Sequence, residues 1–188
     1  MRLMQGLLER AMIQVVSHDP GWAVKFEIEA NRIAKALEGS VVRTHHIGST
    51  AIPQTKAKTI IDILLETASL EALDQKAPML ESLGYEAMGE FGIPGRRYFR
   101  LNAADGTRTH QVHAFTAGVP DVVRHVAFRD YMRAHLLVAA EYGGLKERLA
   151  AAYPHDINAY NQGKDAFVKE HEQRALLWTA TAGAAPVA

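Results

Sequence analysis

Short apolar runs alternate with segments of helical periodicity along this chain, and the two patterns predict its strands and helices. The run TIIDILLE, residues 59–66, is short and β-branched, and it is apolar on both faces except at Asp62. This composition is typical of a buried strand. The run SVVRTHHIG, residues 40–48, predicts a second strand directly upstream of it.

Apolar residues at helical spacing predict helices on either side of these strands. One helix is expected at about residues 22–37, and a second, capped by Ser69, at about residues 70–83. Beyond residue 119 the pattern is helical throughout. It predicts three further helices, at about residues 120–135, 137–152 and 156–178.

The middle of the chain carries the segments YEAMGE, RRYFRLN and TRTHQVHAF, which are separated by the turn sequences FGIPG and AADG. These segments predict an antiparallel meander. The fold class is therefore expected to be α+β. A mixed, largely antiparallel sheet within about residues 13–116 carries packed helices, and a helical C-terminal third covers about residues 119–178. No repeat or linker divides the chain, so we expect one domain over residues 1–178 and a disordered tail at 179–188.

Composition narrows the classes of function. The 188 residues include 21 Lys or Arg and 21 Asp or Glu, so the formal net charge is zero and bulk nucleic-acid binding is not expected. The absence of cysteine excludes disulfides, thiolate zinc sites and cysteine nucleophiles. No apolar run approaches the roughly 18 residues of a membrane span. The N-terminal stretch MRLMQGLLERAMIQVV, residues 1–16, lacks a signal-peptide pattern, so we expect a cytoplasmic protein that does not engage a membrane.

The stretch HHIGSTAIP, residues 45–53, joins the two predicted strands and is the main candidate for a binding site. Gly48 permits a sharp turn and a close approach of a ligand to the backbone, and Ser49 and Thr50 are small hydroxyl residues. Such a turn is typical of phosphate binding. On the next strand, Asp62 supplies the carboxylate that Mg²⁺ needs beside a phosphate. The structural alternatives are a hydroxyl-capped turn and, for Asp62, a buried ion pair.

Two more side chains are candidate metal ligands. His113 is expected to share one strand face with Gln111, and beside Asp62 it would form a mixed Asp/His site. Such a site suits Zn²⁺, Mn²⁺ or Fe²⁺ better than Mg²⁺. Glu90, in the predicted turn before the next strand, is a further candidate carboxylate. A buried structural histidine is the alternative for His113.

Arginines follow Glu90 at positions 96, 97 and 100, and we expect at least one of them to point into the cleft. We assign that role to Arg97, whose guanidinium would clamp phosphate oxygens. The segment FRDYMRAH, residues 128–135, is interpreted as a solvated or ion-paired helix face, although its Arg129 has the length to reach a phosphate.

The chain resembles the nucleotidyltransferase signature of the DNA polymerase beta-like superfamily. In that signature, Gly-Ser follows a strand, and a spacer separates it from an aspartate on the next strand. The whole chain resembles the GrpB family, which is assigned to that fold. The segments that carry the resemblance are, in order, DPGWAVKFEIEANRI, HHIGSTAIP, KTIIDILLE, GEFGIPGRRYFR, RTHQVHAF, HVAFRDYMRAH, AAEYGGLKERLAAAYP and AYNQGKDAFV. The resemblance implies a sheet of the nucleotidyltransferase type and a nucleotide-facing Lys164 on the last helix. One departure is Leu64, which occupies the position of the superfamily's second carboxylate.

The resemblance implies a nucleotidyltransferase-like protein that binds a nucleotide or another phosphorylated small molecule. It implies a divalent metal as cofactor, Mg²⁺ or Mn²⁺ with Zn²⁺ as the alternative, and nucleotidyl transfer if the protein is an enzyme. Leu64 motivates a second hypothesis, a non-catalytic ligand-binding member of the same fold. The pair of Asp62 and His113 motivates a third, a metal-dependent phosphoester hydrolase.

Overall fold

The computed structural model describes residues 12–182, so residues 1–11, which form most of the N-terminal stretch tested for a signal-peptide pattern, and residues 183–188 lie outside it. Five strands form one sheet in the order β1-β2-β5-β4-β3. Their bounds are β1 Val41–Ile47, β2 Ile61–Thr67, β3 Tyr85–Ala87, β4 Arg97–Asn102 and β5 Arg108–Thr116. The central strands β2 and β5 are parallel, and the other neighbouring pairs are antiparallel. The mixed sheet and the predicted meander are therefore confirmed.

Five helices accompany the sheet within the described part of the chain. They are α1 Gly21–Ala36, α2 Leu70–Ser82, α3 Pro120–Ala134, α4 Leu136–Ala152 and α5 Ile157–Ala182. The Oγ of Ser69 accepts a hydrogen bond from the N–H of Ala72 at 3.2 Å, which confirms the predicted cap. The tail was predicted to begin at residue 179, but α5 continues to Ala182, so that boundary is corrected. Among residues 12–182, no helix is both long and apolar enough to cross a membrane.

One sheet face, which we call the core face, packs beneath α1 and α2. Alternate residues of β2, namely Ile61, Ile63 and Leu65, point to this side and join the largest apolar cluster of the molecule. Trp22 and Phe26 of α1 cover them. Each such side chain contributes about 1.5–3 kcal/mol when it is fully buried, so this face supplies much of the stability.

The opposite face, which we call the cleft face, carries Asp62, Leu64 and Glu66 from the same strand. Leu64 packs with Phe115 of β5 and Val122 of α3 in a smaller apolar cluster. Helix α3 contacts β1 and β2, while α4 and α5 contact α3 and each other. The end of β2 that bears Asp62 is thereby left beside open space among the C-terminal helices.

The sheet begins later than predicted. The run at residues 13–16 was included in the sheet region, but it makes a single bridge between Val16 and Ala57. It is followed at once by the turn that starts α1, and a run of four residues is too short to extend far along a neighbour. The sheet proper begins at β1.

Candidate functional site

The turn at Gly48 lies directly against Asp62. Ile47, the last residue of β1, pairs with Asp62 in the antiparallel register, and the short 3-10 helix Ser49–Ala51 follows the glycine. Gly48 has φ +69°, and a Cβ built there would lie 2.4 Å from Oδ2 of Asp62. Only glycine fits both the conformation and the space. The structure thus brings the predicted turn and the predicted carboxylate together.

The two hydroxyl residues of the turn have different roles. Thr50 is buried, and its Oγ1 lies 3.0 Å from Nε2 of His46 and 3.4 Å from the carbonyl oxygen of Ile60. Burial lowers the pKa of His46 to about 4, so this ring is neutral and structural. The side chain of Ser49 hydrogen-bonds that of Tyr142. Thr50 therefore anchors the turn to β2, and Ser49 links it to α4.

Two arginines of α3 brace the same turn from outside. The Nη1 of Arg129 donates to the carbonyl of His46 at 3.3 Å, and the Nε of Arg133 donates to the carbonyl of Ala51 at 2.8 Å. These carbonyls stand before and after the turn. Arg129 also pairs with Asp130 at 2.7 Å, so this helix face is ion-paired. Its arginines hold backbone rather than a ligand.

A cavity of about 270 Å³ opens beside the turn, and we call it the lysine cavity. Its lining includes three lysines and one carboxylate. The residues that matter here are Gly48, Ser49, Thr50, Lys58, Asp62, Gln111, Tyr142, Lys146, Tyr160 and Lys164. Lys164 was predicted to face a nucleotide and does line this cavity. Lys58 and Lys146 were not predicted.

The three lysines are held close together in a desolvated environment. Burial, with a contribution from Lys164, lowers the pKa of Lys146 to about 7, and burial together with Lys58 lowers that of Lys164 to about 8. Burial also lowers the pKa of Lys58. Lys146 is 2% exposed, and its Nζ finds no hydrogen-bond partner within residues 12–182. Buried ammonium groups of this kind are stabilised by an anion that enters beside them.

Tyrosine rings support two of the lysines. The Nζ of Lys146 lies 4.4 Å from the ring centroid of Tyr142, and the Nζ of Lys164 lies 4.5 Å from that of Tyr160. Such cation–π contacts compensate part of the desolvation without neutralising the charge. The cavity therefore keeps a positive character that Asp62 alone does not balance.

The sequence pattern of α4 does contain a signal for Lys146. On α4 it lies in phase with Ala139, Tyr142, Gly143 and Ala150, all of which are buried. A lysine on the apolar stripe of a helix either pairs with something or serves a site. Lys58 carried no comparable signal, because it lies in the irregular segment before β2.

A second cavity, of about 250 Å³, lies beside Asp62, and we call it the histidine cavity. It shares four lining residues with the lysine cavity, namely Gly48, Asp62, Gln111 and Tyr142. The rest of its lining consists of Ile47, His113, Arg124, His125, Phe128, Val168 and Glu172. The two cavities are thus neighbours, with Asp62 and Gln111 on the strands between them.

His113 lies next to Asp62, as its strand face predicted. The distance from its Nε2 to Oδ1 of Asp62 is 3.7 Å, and its Nδ1 lies 3.4 Å from Nη1 of Arg96. Because a guanidinium only donates, Nδ1 of His113 is the acceptor and Nε2 carries the proton. In this state His113 presents an N–H, not a lone pair, toward Asp62.

The donor set fits a cation that is shared with a ligand. Within residues 12–182, no three His, Cys, Asp or Glu side chains are grouped so as to hold a metal ion. Asp62 contributes one carboxylate, and Leu64 next along this face is buried. Phosphate oxygens of a bound ligand would therefore have to complete the coordination of any Mg²⁺ or Mn²⁺.

The assignment of Glu90 as a metal ligand is wrong. Its Oε1 accepts a hydrogen bond from the N–H of Gly95 at 2.7 Å within the same turn. The same oxygen lies 3.9 Å from Nη1 of Arg97. The Glu90 carboxylate is therefore engaged within its own turn and beside Arg97, and it lines neither of the two cavities that border Asp62.

The assignment of Arg97 to the cleft is also wrong. Arg97 pairs with Ala114 in the register of β4 and β5, so it points to the core face, where its Nε and Nη2 bind Asp74 of α2 at 2.6 and 2.7 Å. Arg96, one residue earlier, points to the cleft face and contacts His113. The prediction did not separate these two neighbouring arginines, which point to opposite faces because side chains alternate along an extended chain. Arg96 also donates to the carbonyl of Phe91 at 2.7 Å, so it positions His113 and closes the turn.

Comparison with known proteins agrees with this architecture. The family model described as "GrpB protein" matches residues 12–174. The UPF0157 protein YqkA of Bacillus subtilis is 42% identical over 172 residues, which cover 92% of this chain and 50% of that protein. A dephospho-CoA kinase of Mycolicibacterium paratuberculosis is 28% identical over an alignment of 202 residues, covering 95% of this chain and 50% of that protein. The chain spans about half the length of these two curated relatives.

A solved structure is similar over almost its whole length. The conserved protein GrpB from Enterococcus faecalis has a TM-score of 0.84 with this chain at 40% sequence identity. The match covers 88% of this chain and 99% of that chain. Sequence and fold therefore give the same family.

Proposed function

The chain belongs to the GrpB family, and we propose that its cleft binds a nucleotide or another phosphorylated small molecule through the phosphate groups. The observation that carries this proposal is the lysine cavity. Three desolvated lysines line it with one carboxylate, and the Nζ of Lys146 is enclosed there without a hydrogen-bond partner among residues 12–182. A chain of two or three phosphate groups is a common biological anion with enough charge to offset three ammonium groups at once.

Each part of the cavity has a role in this proposal. Lys58, Lys146 and Lys164 neutralise phosphate oxygens, and the bound anion restores their protonated state. Gly48 lets the phosphate approach the backbone, and Ser49 adds a hydroxyl beside it. Because the lysines are already desolvated in the free protein, the ligand gains strong charge-assisted hydrogen bonds without a further burial cost on the protein side.

A divalent cation fits this proposal at Asp62. When bound there, Mg²⁺ or Mn²⁺ would supply charge neutralisation at the phosphate that the lysines do not reach. A Zn²⁺ site, and with it the phosphoester hydrolase hypothesis, requires a lone pair at Nε2 of His113. The contact between Arg96 and Nδ1 of His113 opposes that state.

Nucleotidyl transfer is the second candidate function. The contact between the Gly48 turn and Asp62 favours it, since the superfamily signature places a Gly-Ser turn beside a strand-borne aspartate. Against it stands Leu64, which is 0% exposed and packs with Phe115 and Val122 where a second carboxylate would be needed. Binding without transfer is therefore the function that the geometry supports best.

Calorimetric titration with inorganic tripolyphosphate, ATP and dephospho-CoA tests the binding proposal, the last probe being chosen from the name of the mycobacterial relative. We expect wild-type protein to bind at least one of them, and Lys146→Met to weaken that binding about tenfold or more, the size of one lost charge-assisted hydrogen bond. Lys169→Met is the matched control, because Lys169 is on α5 like Lys164 but 72% exposed and paired with Asp165.

Two further arms separate the candidates. Titration in EDTA and in Mg²⁺ shows whether the lysines bind phosphate without a metal, and Asp62→Asn shows whether a metal effect passes through Asp62. Pyrophosphate release from a nucleoside triphosphate would favour the transferase. If none of the probes binds to wild-type protein, the phosphate-binding proposal is wrong.

A further inference from the structure

The histidine cavity offers a different environment from the lysine cavity beside it. Ile47, Phe128 and Val168 give it apolar walls, and Tyr142 adds the ring that the two cavities share. Its one arginine, Arg124, is already ion-paired. The Nε of Arg124 binds Asp121 at 2.8 Å, and its Nη1 lies 3.4 Å from Glu172. Among the described residues that line this cavity, none is therefore an unpaired cation that would attract a phosphate.

Hydrogen-bonding groups of fixed polarity stand at the edge of this apolar space. The Nδ1 of His125 lies 2.6 Å from the carbonyl oxygen of Asp121, so it carries the proton, and Nε2 of His125 is left as an acceptor. Burial lowers the pKa of His125 to about 4, and the ring is neutral. The Nε2 of His113 is a donor, as argued above, and the amide of Gln111 provides both a donor and an acceptor.

These features favour one kind of occupant. A flat heteroaromatic ring has two apolar faces and a rim of donors and acceptors, and it matches apolar walls with a few directed polar groups. A sugar hydroxyl cluster would leave the walls formed by Phe128 and Val168 without an apolar partner. Inorganic polyphosphate would leave the whole cavity unused.

We propose that the histidine cavity binds the base of a nucleotide whose phosphates lie in the lysine cavity, with the sugar crossing near Asp62 and Gln111. This inference rests on the proposed function, since it assigns the phosphates to the lysines. It narrows the ligand from any phosphorylated small molecule to a nucleotide. It also gives the ligand one orientation, because the two cavities differ in charge.

The test compares ATP with inorganic tripolyphosphate, which carries the phosphates but no ring. Wild-type protein is expected to bind ATP about tenfold or more tightly than tripolyphosphate, the size of one ring's stacking contribution. Val168→Phe fills the histidine cavity and is expected to remove that difference while leaving the affinity for tripolyphosphate unchanged. Val123→Phe is the matched control, since Val123 is a helical valine of α3 that is 46% exposed and lines neither cavity.

Phe128→Leu provides an independent variant, because it removes one aromatic wall and adds no bulk. It is expected to weaken ATP binding and to spare tripolyphosphate, and thermal melts of each variant verify that it is folded. Equal affinities of wild-type protein for ATP and tripolyphosphate would overturn the base subsite and leave the phosphate site standing. If neither probe binds, the proposed function fails and the base subsite fails with it.

Discussion

Asp62 and Glu66 lie on the same face of the same strand, yet their surroundings differ completely. Glu66 is 6% exposed, and its oxygens are taken by Nε2 of His45 at 2.6 Å and by the N–H of Gly118 at 3.2 Å. Asp62 has its nearest ion-pair partner, Nε2 of His113, at 3.7 Å, and it borders two cavities. We call Glu66 the closed carboxylate, because protein donors satisfy its oxygens. We call Asp62 the open carboxylate, because it has no such donors within residues 12–182 and borders two cavities.

The two carboxylates differ in hydrogen bonding, since Glu66 has two short contacts with protein donors and Asp62 has one ion-pair contact at 3.7 Å. Burial would raise the pKa of Glu66, but the hydrogen bonds from His45 and Gly118 outweigh burial and lower it. The structural alternative for Asp62 was a buried ion pair with an arginine; at Glu66 a buried carboxylate is instead held by His45 and the N–H of Gly118. At Asp62 the protein leaves the carboxylate without an equivalent set of donors.

The largest effect on stability is expected from removing the closed carboxylate. Glu66→Ala leaves His45 and the N–H of Gly118 unsatisfied in a buried place and should lower the free energy of unfolding by about 3 kcal/mol. Asp62→Ala should change it by less than about 1 kcal/mol, since no short hydrogen bond is lost. Urea denaturation of both variants at pH 7 measures the contrast.

The pH dependence of the same pair of variants sharpens the contrast. The pKa of Glu66 is lower in the folded protein than in the unfolded chain. The stability that Glu66 contributes is therefore fully present above the unfolded pKa of about 4.3, and it is lost as the pH falls through the folded-state pKa. The gap between wild type and Glu66→Ala should therefore shrink in acid. A loss for Asp62→Ala as large as that for Glu66→Ala would contradict the distinction between an open and a closed carboxylate.

Much of the fold that positions Asp62 and Glu66 could be predicted from the sequence. The apolar run of β2 predicts a strand, and apolar residues at helical spacing predict the helices. Burial of one face requires apolar residues to repeat about every two residues in a strand and about every 3.6 residues in a helix. The contact of Gly48 with Asp62 followed from adjacency along the chain. The phase of β4 did not follow, because Arg96 and Arg97 are equivalent in a sequence pattern and only the pairing with β5 separates them.

The lysine cavity lay beyond prediction for another reason. Lys58, Lys146 and Lys164 come from three separate segments, and their meeting depends on how α4 and α5 pack beside β2. Part of that packing passes through Gly143, where an added Cβ would lie 3.3 Å from the backbone nitrogen of Lys56. Such a close approach is a tertiary property, and no local pattern shows its partner.

An intermediate effect of opposite sign is expected at Lys146. In the free protein the buried amine of Lys146 has no hydrogen-bond partner among the described residues, which makes it destabilising. Lys146→Met should therefore raise the free energy of unfolding by about 2 kcal/mol at pH 7. The same substitution should weaken phosphate binding. The folded pKa of Lys146 is about 7, against 10.5 for the model amine. Between these values the unfolded chain binds more protons, so wild-type stability rises with pH over this window.

Denaturation of wild type and Lys146→Met from pH 7 to pH 10 measures this behaviour. The stabilising effect of Met should be largest at pH 7 and below and should fade toward pH 10, because the folded-state amine is already neutral above its pKa of about 7 and the unfolded-state amine loses its proton as the pH approaches 10.5. Lys169→Met, at an exposed position of α5, should show no such trend. A destabilised Lys146→Met protein at pH 7 would mean that Lys146 is a closed structural residue like Glu66.

The smallest effect is expected at the ion pair between Arg97 and Asp74, which is closed like Glu66 but lies at the surface. Its contacts of 2.6 and 2.7 Å are bidentate, but the side chains are 25% and 44% exposed, so solvent screens the attraction. A double-mutant cycle of Arg97→Met and Asp74→Asn should give a coupling energy of about 0.5–1 kcal/mol and no change in phosphate affinity. Arg100→Met, which breaks the similar exposed pair with Glu86, is the matched control.

A loss of phosphate binding in Arg97→Met alone would mean that Arg97 contacts the ligand, as the sequence-based prediction had it. An unchanged affinity would show that the ion pair between Arg97 and Asp74 belongs to the scaffold and not to the site.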